Sequence, residues 1–105
     1  MLLPLLLPAS PLCAALLQVV QSVDASFIDG CFYSAAELPG RDITQIPHPL
    51  ITDTAQRLKG VITADHAVVM VHMNHSNPCY RDGPERQQAV EAGLQIGCQG
   101  DVYNL

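Results

Sequence analysis

Tryptophan is absent from the chain, and only five of its 105 residues are aromatic. Cationic charge is equally scarce: five Lys and Arg stand against ten Asp and Glu, a formal net charge of −5. A protein that grips a phosphate backbone needs a basic footprint, and one that binds single strands needs aromatic platforms for the bases. Nucleic acid is therefore excluded as a partner class. C-x-x-C pairs are missing too, because Cys13, Cys31, Cys79 and Cys98 lie far apart. That spacing excludes a zinc ribbon and a thioredoxin-type redox motif. A secreted chain would pair the four cysteines in one of three connectivities. Free thiols in a reducing compartment are the simpler expectation, and a cytoplasmic location goes with it.

Residues 1–23 contain no charged side chain. A secretory signal needs a basic stretch before its apolar core, and here Met1 runs straight into Leu2 and Leu3. Pro4, Pro8 and Pro11 divide the apolar run into pieces too short to span a bilayer, so no membrane partner is expected. Residues 1–24 read as an apolar leader followed by a helix. Ser10 as N-cap and Pro11 at the first helical position mark the helix start. Leu12, Leu16, Val19, Val20 and Val23 then recur at helical spacing over 11–23.

The remainder, 25–105, alternates strands with helices. Ala25–Ile28 reads as a short strand ended by Asp29-Gly30, and 34–49 as a proline-broken loop. A helix is expected over 50–59, closed by Gly60, and another over 84–92 between Pro84 and Gly93. Ala67–Val71 is an unbroken apolar run rich in β-branched residues, the mark of a strand covered on both faces. Residues 94–98 and 101–105 read as two further short strands around Gln99-Gly100. The expected order α-β-α-β-α-β-β is an α/β layered pattern. At this length it makes a single domain.

In α/β sheets, ligands gather outside the carboxyl ends of strands. Two expected strands end there on potential metal ligands, Asp29 and His72. His48 lies between Pro47 and Pro49 at the mouth of the middle helix, and His75 follows His72 in a turn rich in Asn and Ser. Carboxylate and imidazole are donors that Zn or Fe accepts. Each residue also has a plainer reading. Asp29-Gly30 is a common turn pair, His48 can cap a helix, and His72 can bond a neighbouring backbone group. Glu37, Arg41 and Asp42 read as a solvated loop with an Arg–carboxylate pair, and His66 as a surface residue.

The stretch FIDGCFYSAAELPGRDITQIPHPLI, followed by VVMVHMNHSNP, resembles the C-terminal half of metallo-β-lactamase-fold proteins. The likeness is nearest to coenzyme PQQ synthesis protein B and the hydrolases similar to it. Their pattern is a strand ending D-G-T-F-Y, an E-L-P-G-R-D loop, a Pro-flanked His, and a strand ending H-x-N-x-x-N-P. Cys31 stands here in place of the Thr. The likeness extends through GPERQQAVEAGLQI to DVYNL, covering 25–105. It implies the C-terminal half of an αββα sandwich. Asp29 then corresponds to the metal-binding carboxylate, His72 to the last metal-binding His, and His48 to a catalytic His. His75 is carried over as a further metal residue.

The family's H-x-H-x-D-H cluster, which supplies most of its metal ligands, is not in these 105 residues. Asp29 and His72 alone are too few for a catalytic metal, which takes at least three protein ligands. The resemblance implies a metal-dependent hydrolase acting on a small-molecule or peptide substrate. In that reading a missing N-terminal half or a second copy completes the domain, and the chain alone binds Zn or Fe weakly without turnover. A metal oxygenase related to coenzyme PQQ synthesis and a non-catalytic interaction module are the alternatives.

Overall fold

A computed structural model describes residues 11–104. The reading of 1–9 as a leader lies outside these residues, as does Leu105. Among the described residues three helices, α1 (Pro11–Ser22), α2 (Ile51–Arg57) and α3 (Pro84–Glu91), alternate with three strands, β1 (Ala25–Asp29), β2 (Ala67–Val71) and β3 (Gln95–Ile96). Single 3₁₀ turns occupy Ala35–Glu37, Ile43–Gln45 and Pro78–Tyr80. The strands form one parallel sheet in the order β1-β2-β3. The α/β class expected from the sequence is therefore observed.

Strand alternation separates two faces. Ile28, Met70 and Ile96 are in register on one face, where Met70 and Ile96 join Val20, Ile51, Leu58, Val68, Ala89 and Leu94 in the core. All three helices supply residues to this side. Phe27, Val69 and Gln95 are in register on the other face, where the Tyr103 and Phe27 rings meet with centroids 5.2 Å apart. Val68, Val69 and Met70 are fully buried, so β2 is covered on both faces as its composition requires. α2 has only seven residues, too short to hold its shape alone. Burial of Ile51, Thr54 and Leu58 keeps it in place.

α3 ends as its sequence dictates. Gly93 adopts φ +100, its N–H bonds to the Val90 carbonyl, and the Leu94 N–H bonds to the Ala89 carbonyl. This pairing closes the last turn, and the buried Leu94 is delivered directly into the core beside Ala89.

Three expectations need correction. Among the described side chains of α1, Leu16, Leu17 and Val20 pack toward the core, while Val19, and Val23 just beyond the helix, are exposed. The expected strand over 94–98 contracts to two residues, and no strand forms in 101–104. Asp101 is the reason: its carboxylate accepts from the Cys98 N–H at 2.8 Å and its own N–H bonds to the Cys98 carbonyl, closing a tight turn. The tail then folds back with Tyr103 against Phe27. Finally, the ELPGRD segment is tied down by its carboxylates. Glu37 accepts from the N–H groups of Tyr33 and Ser34 and from the Ser76 hydroxyl, and Asp42 caps the Ile43–Gln45 turn through Thr44. Those Thr44 bonds hold the Asp42 carboxyl below its usual range. No Arg41 ion pair occurs among the described residues.

Two buried polar side chains pull stability in opposite directions. Asn77, fully buried, donates to the Gly30 and Cys31 carbonyls and accepts from the Cys79 N–H. Asn77→Ala leaves the Gly30 carbonyl and the Cys79 amide without this partner and should cost about 2–4 kcal/mol in chemical denaturation. Ser26, on β1, has a buried hydroxyl with no hydrogen-bond partner among the described residues. Ser26→Ala should raise stability by about 1 kcal/mol in the same assay. A loss on Ser26→Ala would mean the hydroxyl has a partner in solution.

Candidate functional site

Parallel pairing sets Asp29 opposite Val71, so both strands finish at one edge of the sheet and His72 follows immediately. The Gly30 N–H bonds to the Val71 carbonyl at 2.7 Å, fixing the two exits side by side. A side chain at Gly30 would be crowded: a Cβ would stand 3.0 Å from Met70 Cβ and 3.3 Å from Ile51 Cδ1. The chain then turns because Asp29 Oδ1 accepts from the Cys31 N–H at 2.8 Å, an Asx turn that draws Cys31 under the Asp29 carboxylate.

His48 arrives from a different direction. Phe32 and Leu50 form a parallel bridge, and the N–H groups of Ile51 and Thr52 bond to the carbonyls of Phe32 and Tyr33. That seam holds the Pro47-His48-Pro49 segment against the end of β1. His48 Nδ1 lies 2.6 Å from Asp29 Oδ2, and His72 Nδ1 lies 3.9 Å from Asp29 Oδ1. The two imidazoles stack at 5.6 Å with 29° between planes, and the Phe32 and His48 rings lie 6.1 Å apart at 77°. One donor atom from each of Asp29, Cys31, His48 and His72 falls within 4.8 Å of the others.

The predicted residues Asp29, His48 and His72 thus converge, as their positions at strand ends and loop mouth require. His75 is exposed and is not one of the four converging residues. Cys31 is the residue that sequence reasoning missed as a donor. Its signal was available: it replaces Thr in the D-G-T-F-Y pattern, two positions after a proposed ligand. The sequence assigns metal roles to Asp29, His72 and His75, whereas the structure gathers donor atoms of Asp29, Cys31, His48 and His72. Comparisons with protein-family models, curated proteins and solved structures gave no match.

The thiol of Cys31 is pushed up by burial and by the neighbouring Asp29 carboxylate, against a weaker opposing hydrogen bond from Asn74. A metal bound there must displace that proton. The four donors fit a divalent ion by chemistry, since thiolate, imidazole and carboxylate are all zinc ligands. They fit it by spacing in part. Bonds of about 2.0–2.3 Å in a tetrahedron separate ligand atoms by about 3.3–3.8 Å. The His72 Nδ1–Asp29 Oδ1 distance of 3.9 Å is close to that range. At 2.6 Å the His48–Asp29 contact is too short for two such ligands and is a hydrogen bond.

His72 also has φ +63, in the left-handed region. A residue with a Cβ pays about 1–2 kcal/mol there, and such outliers cluster at functional sites. His72→Gly should therefore be more stable than His72→Ala by about 1 kcal/mol in denaturant titrations, although both lose the ring. Equal stability of the two variants would show that the left-handed turn is not held in solution.

Proposed function

We propose that the ends of β1 and β2 carry a divalent-metal centre in which Asp29, Cys31 and His72 are the ligands and His48 is the proton-transfer residue. The observation that carries this reading is the convergence of the four donors on one sheet edge. Three protein ligands with one open position is the arrangement of a catalytic zinc site, whereas structural sites are closed by four. Zn or Fe suits the donor set, with the Cys31 sulfur favouring Zn.

On this reading the chain works as a metal-dependent hydrolase of the metallo-β-lactamase type, contributing the C-terminal half of an αββα sandwich. The resemblance of the D-G-C-F-Y, E-L-P-G-R-D and H-x-N-x-x-N-P segments supports the class. The H-x-H-x-D-H cluster of that class would have to come from another polypeptide segment, and turnover by this chain alone is expected to be absent or slight.

The chain's own residues divide the work. The Asp29 carboxylate would help hold the ion, and its Oδ2 is bonded to His48 Nδ1, so one side chain would serve both. An ionised carboxylate can only accept, so Nδ1 donates to Oδ2, and in that tautomer of the neutral ring Nε2 is an acceptor. His48 can then take a proton from an attacking water at Nε2 and return it to the leaving group. The stacked His72 ring and the Phe32 ring restrict the tilt of His48. The ion, when bound, supplies Lewis acidity at the scissile bond and at the attacking water.

Titration with Co(II), a spectroscopic substitute for Zn, tests the ligand set. The wild-type chain should bind one equivalent with a sulfur-to-cobalt charge-transfer band. Cys31→Ser should abolish the band, and Asp29→Ala or His72→Ala should weaken binding by tenfold or more, about 1.4 kcal/mol. His48→Ala should leave metal content unchanged. In a chain supplemented with a fragment bearing H-x-H-x-D-H, it should lower ester or phosphodiester turnover by about 10²–10⁴-fold. A cobalt spectrum without a sulfur band, or metal content insensitive to Asp29→Ala, would overturn the assignment.

A further inference from the structure

A cavity of about 330 Å³ opens beside His72 on the face of the sheet away from the helices. Three of the chain's five aromatic residues, Phe27, Tyr80 and Tyr103, line it. Met73 adds a polarisable wall, and Asp101 a carboxylate. Neither Lys nor Arg lines it among the described residues.

The rings are held before any ligand arrives. The Phe27 and Tyr103 rings pack against each other at 80° with centroids 5.2 Å apart. The Tyr103 hydroxyl donates to Asp101 Oδ2 at 3.2 Å, and the Tyr80 hydroxyl donates to the Met73 carbonyl at 2.9 Å. Asp101 is itself fixed by the Cys98 N–H at 2.8 Å. Phe27 and Tyr80 nevertheless remain 51% and 55% exposed, an unusual amount of aromatic surface for a chain with so little of it. Aromatic rings gathered around a cavity with a carboxylate in its wall attract an organic cation, because the ring quadrupoles and the carboxylate act on the same charge. An anionic ligand would meet repulsion there, reinforced by the net charge of −5.

We propose that this cavity binds the ammonium group of a small organic cation, and that the metal centre's substrate carries such a group. The second clause rests on the proposed metal reading; the first does not. An ammonium seated among Phe27, Tyr80 and Tyr103 has His72 on the wall of the same cavity, so the rest of the molecule extends toward Asp29 and His48.

Binding is tested on the whole chain with a chelator present, so that the outcome is independent of any metal. The probes are choline and its uncharged isostere, in which a tert-butyl group replaces trimethylammonium. Calorimetry and shifts of the aromatic ring signals in NMR are the readouts. Choline should bind at least about tenfold more tightly than the isostere, and Phe27→Leu or Tyr103→Leu should remove that preference. Tyr103→Phe keeps the ring and should retain choline binding within about threefold, which guards against a leucine variant that fails to fold. Asp101→Asn should weaken choline while leaving the isostere unaffected. Equal affinity for the two probes, or a preference surviving both leucine variants, would overturn the cation site. A choline preference in a chain that binds no metal would leave the cation site standing and refute the metal reading.

Discussion

The parallel ladder between β1 and β2 is the constraint on which the rest depends. Its register pairs Asp29 with Val71, and the Gly30 N–H extends it one bond beyond the strands. A slip of one residue would turn Ile28 and Met70 away from the helices and carry Asp29 to the opposite face. The register is protected because Val68 and Met70 have no other place to be buried. Each fully buried aliphatic side chain is worth about 1.5–3 kcal/mol, so a slipped sheet forfeits several times the worth of one hydrogen bond. The geometry of the sheet edge is thus secured by packing one layer below it.

Beyond the strands, polar side chains take over the task that apolar burial performs inside. Asn77 holds the Gly30–Cys31 turn to the Cys79 turn, and the Asn74 N–H reaches the Cys31 carbonyl. Glu37 reaches Ser76 from the far side, and Ser76 accepts from the Asn74 side chain. The asparagines of the H-x-N-x-x-N-P segment are therefore structural. They hold still the loops that carry Cys31 and His72, and none of them needs to touch a ligand.

The site itself combines rigidity with strain. Asp29 is anchored by its Asx turn and His48 by the Phe32–Leu50 seam, while His72 accepts a left-handed backbone to bring its ring over theirs. Glycine would suit that backbone better and has no imidazole. The opposite trade appears at Gly30, where a side chain is given up so that β1 can exit close to Met70 and Ile51. His72 also lines the aromatic cavity, so the proposed metal and cation sites share one residue.

By itself the sequence determined the elements and their ends: the apolar run of β2, the Pro84 and Gly93 limits of α3, and the strand terminations at Asp29 and His72. These are local matters, settled by backbone preferences and by the spacing of apolar residues within a few positions. It also marked His48 as a candidate, through its two flanking prolines and a family resemblance. Only the tertiary structure decided that His48, 19 positions from Asp29, bonds to its carboxylate, and that Cys31 joins the same group of donors. It likewise decided that Asp101 folds the tail back over Phe27 in place of a further strand. Contacts of that kind depend on sheet register and on how each loop closes, which no short window of residues encodes.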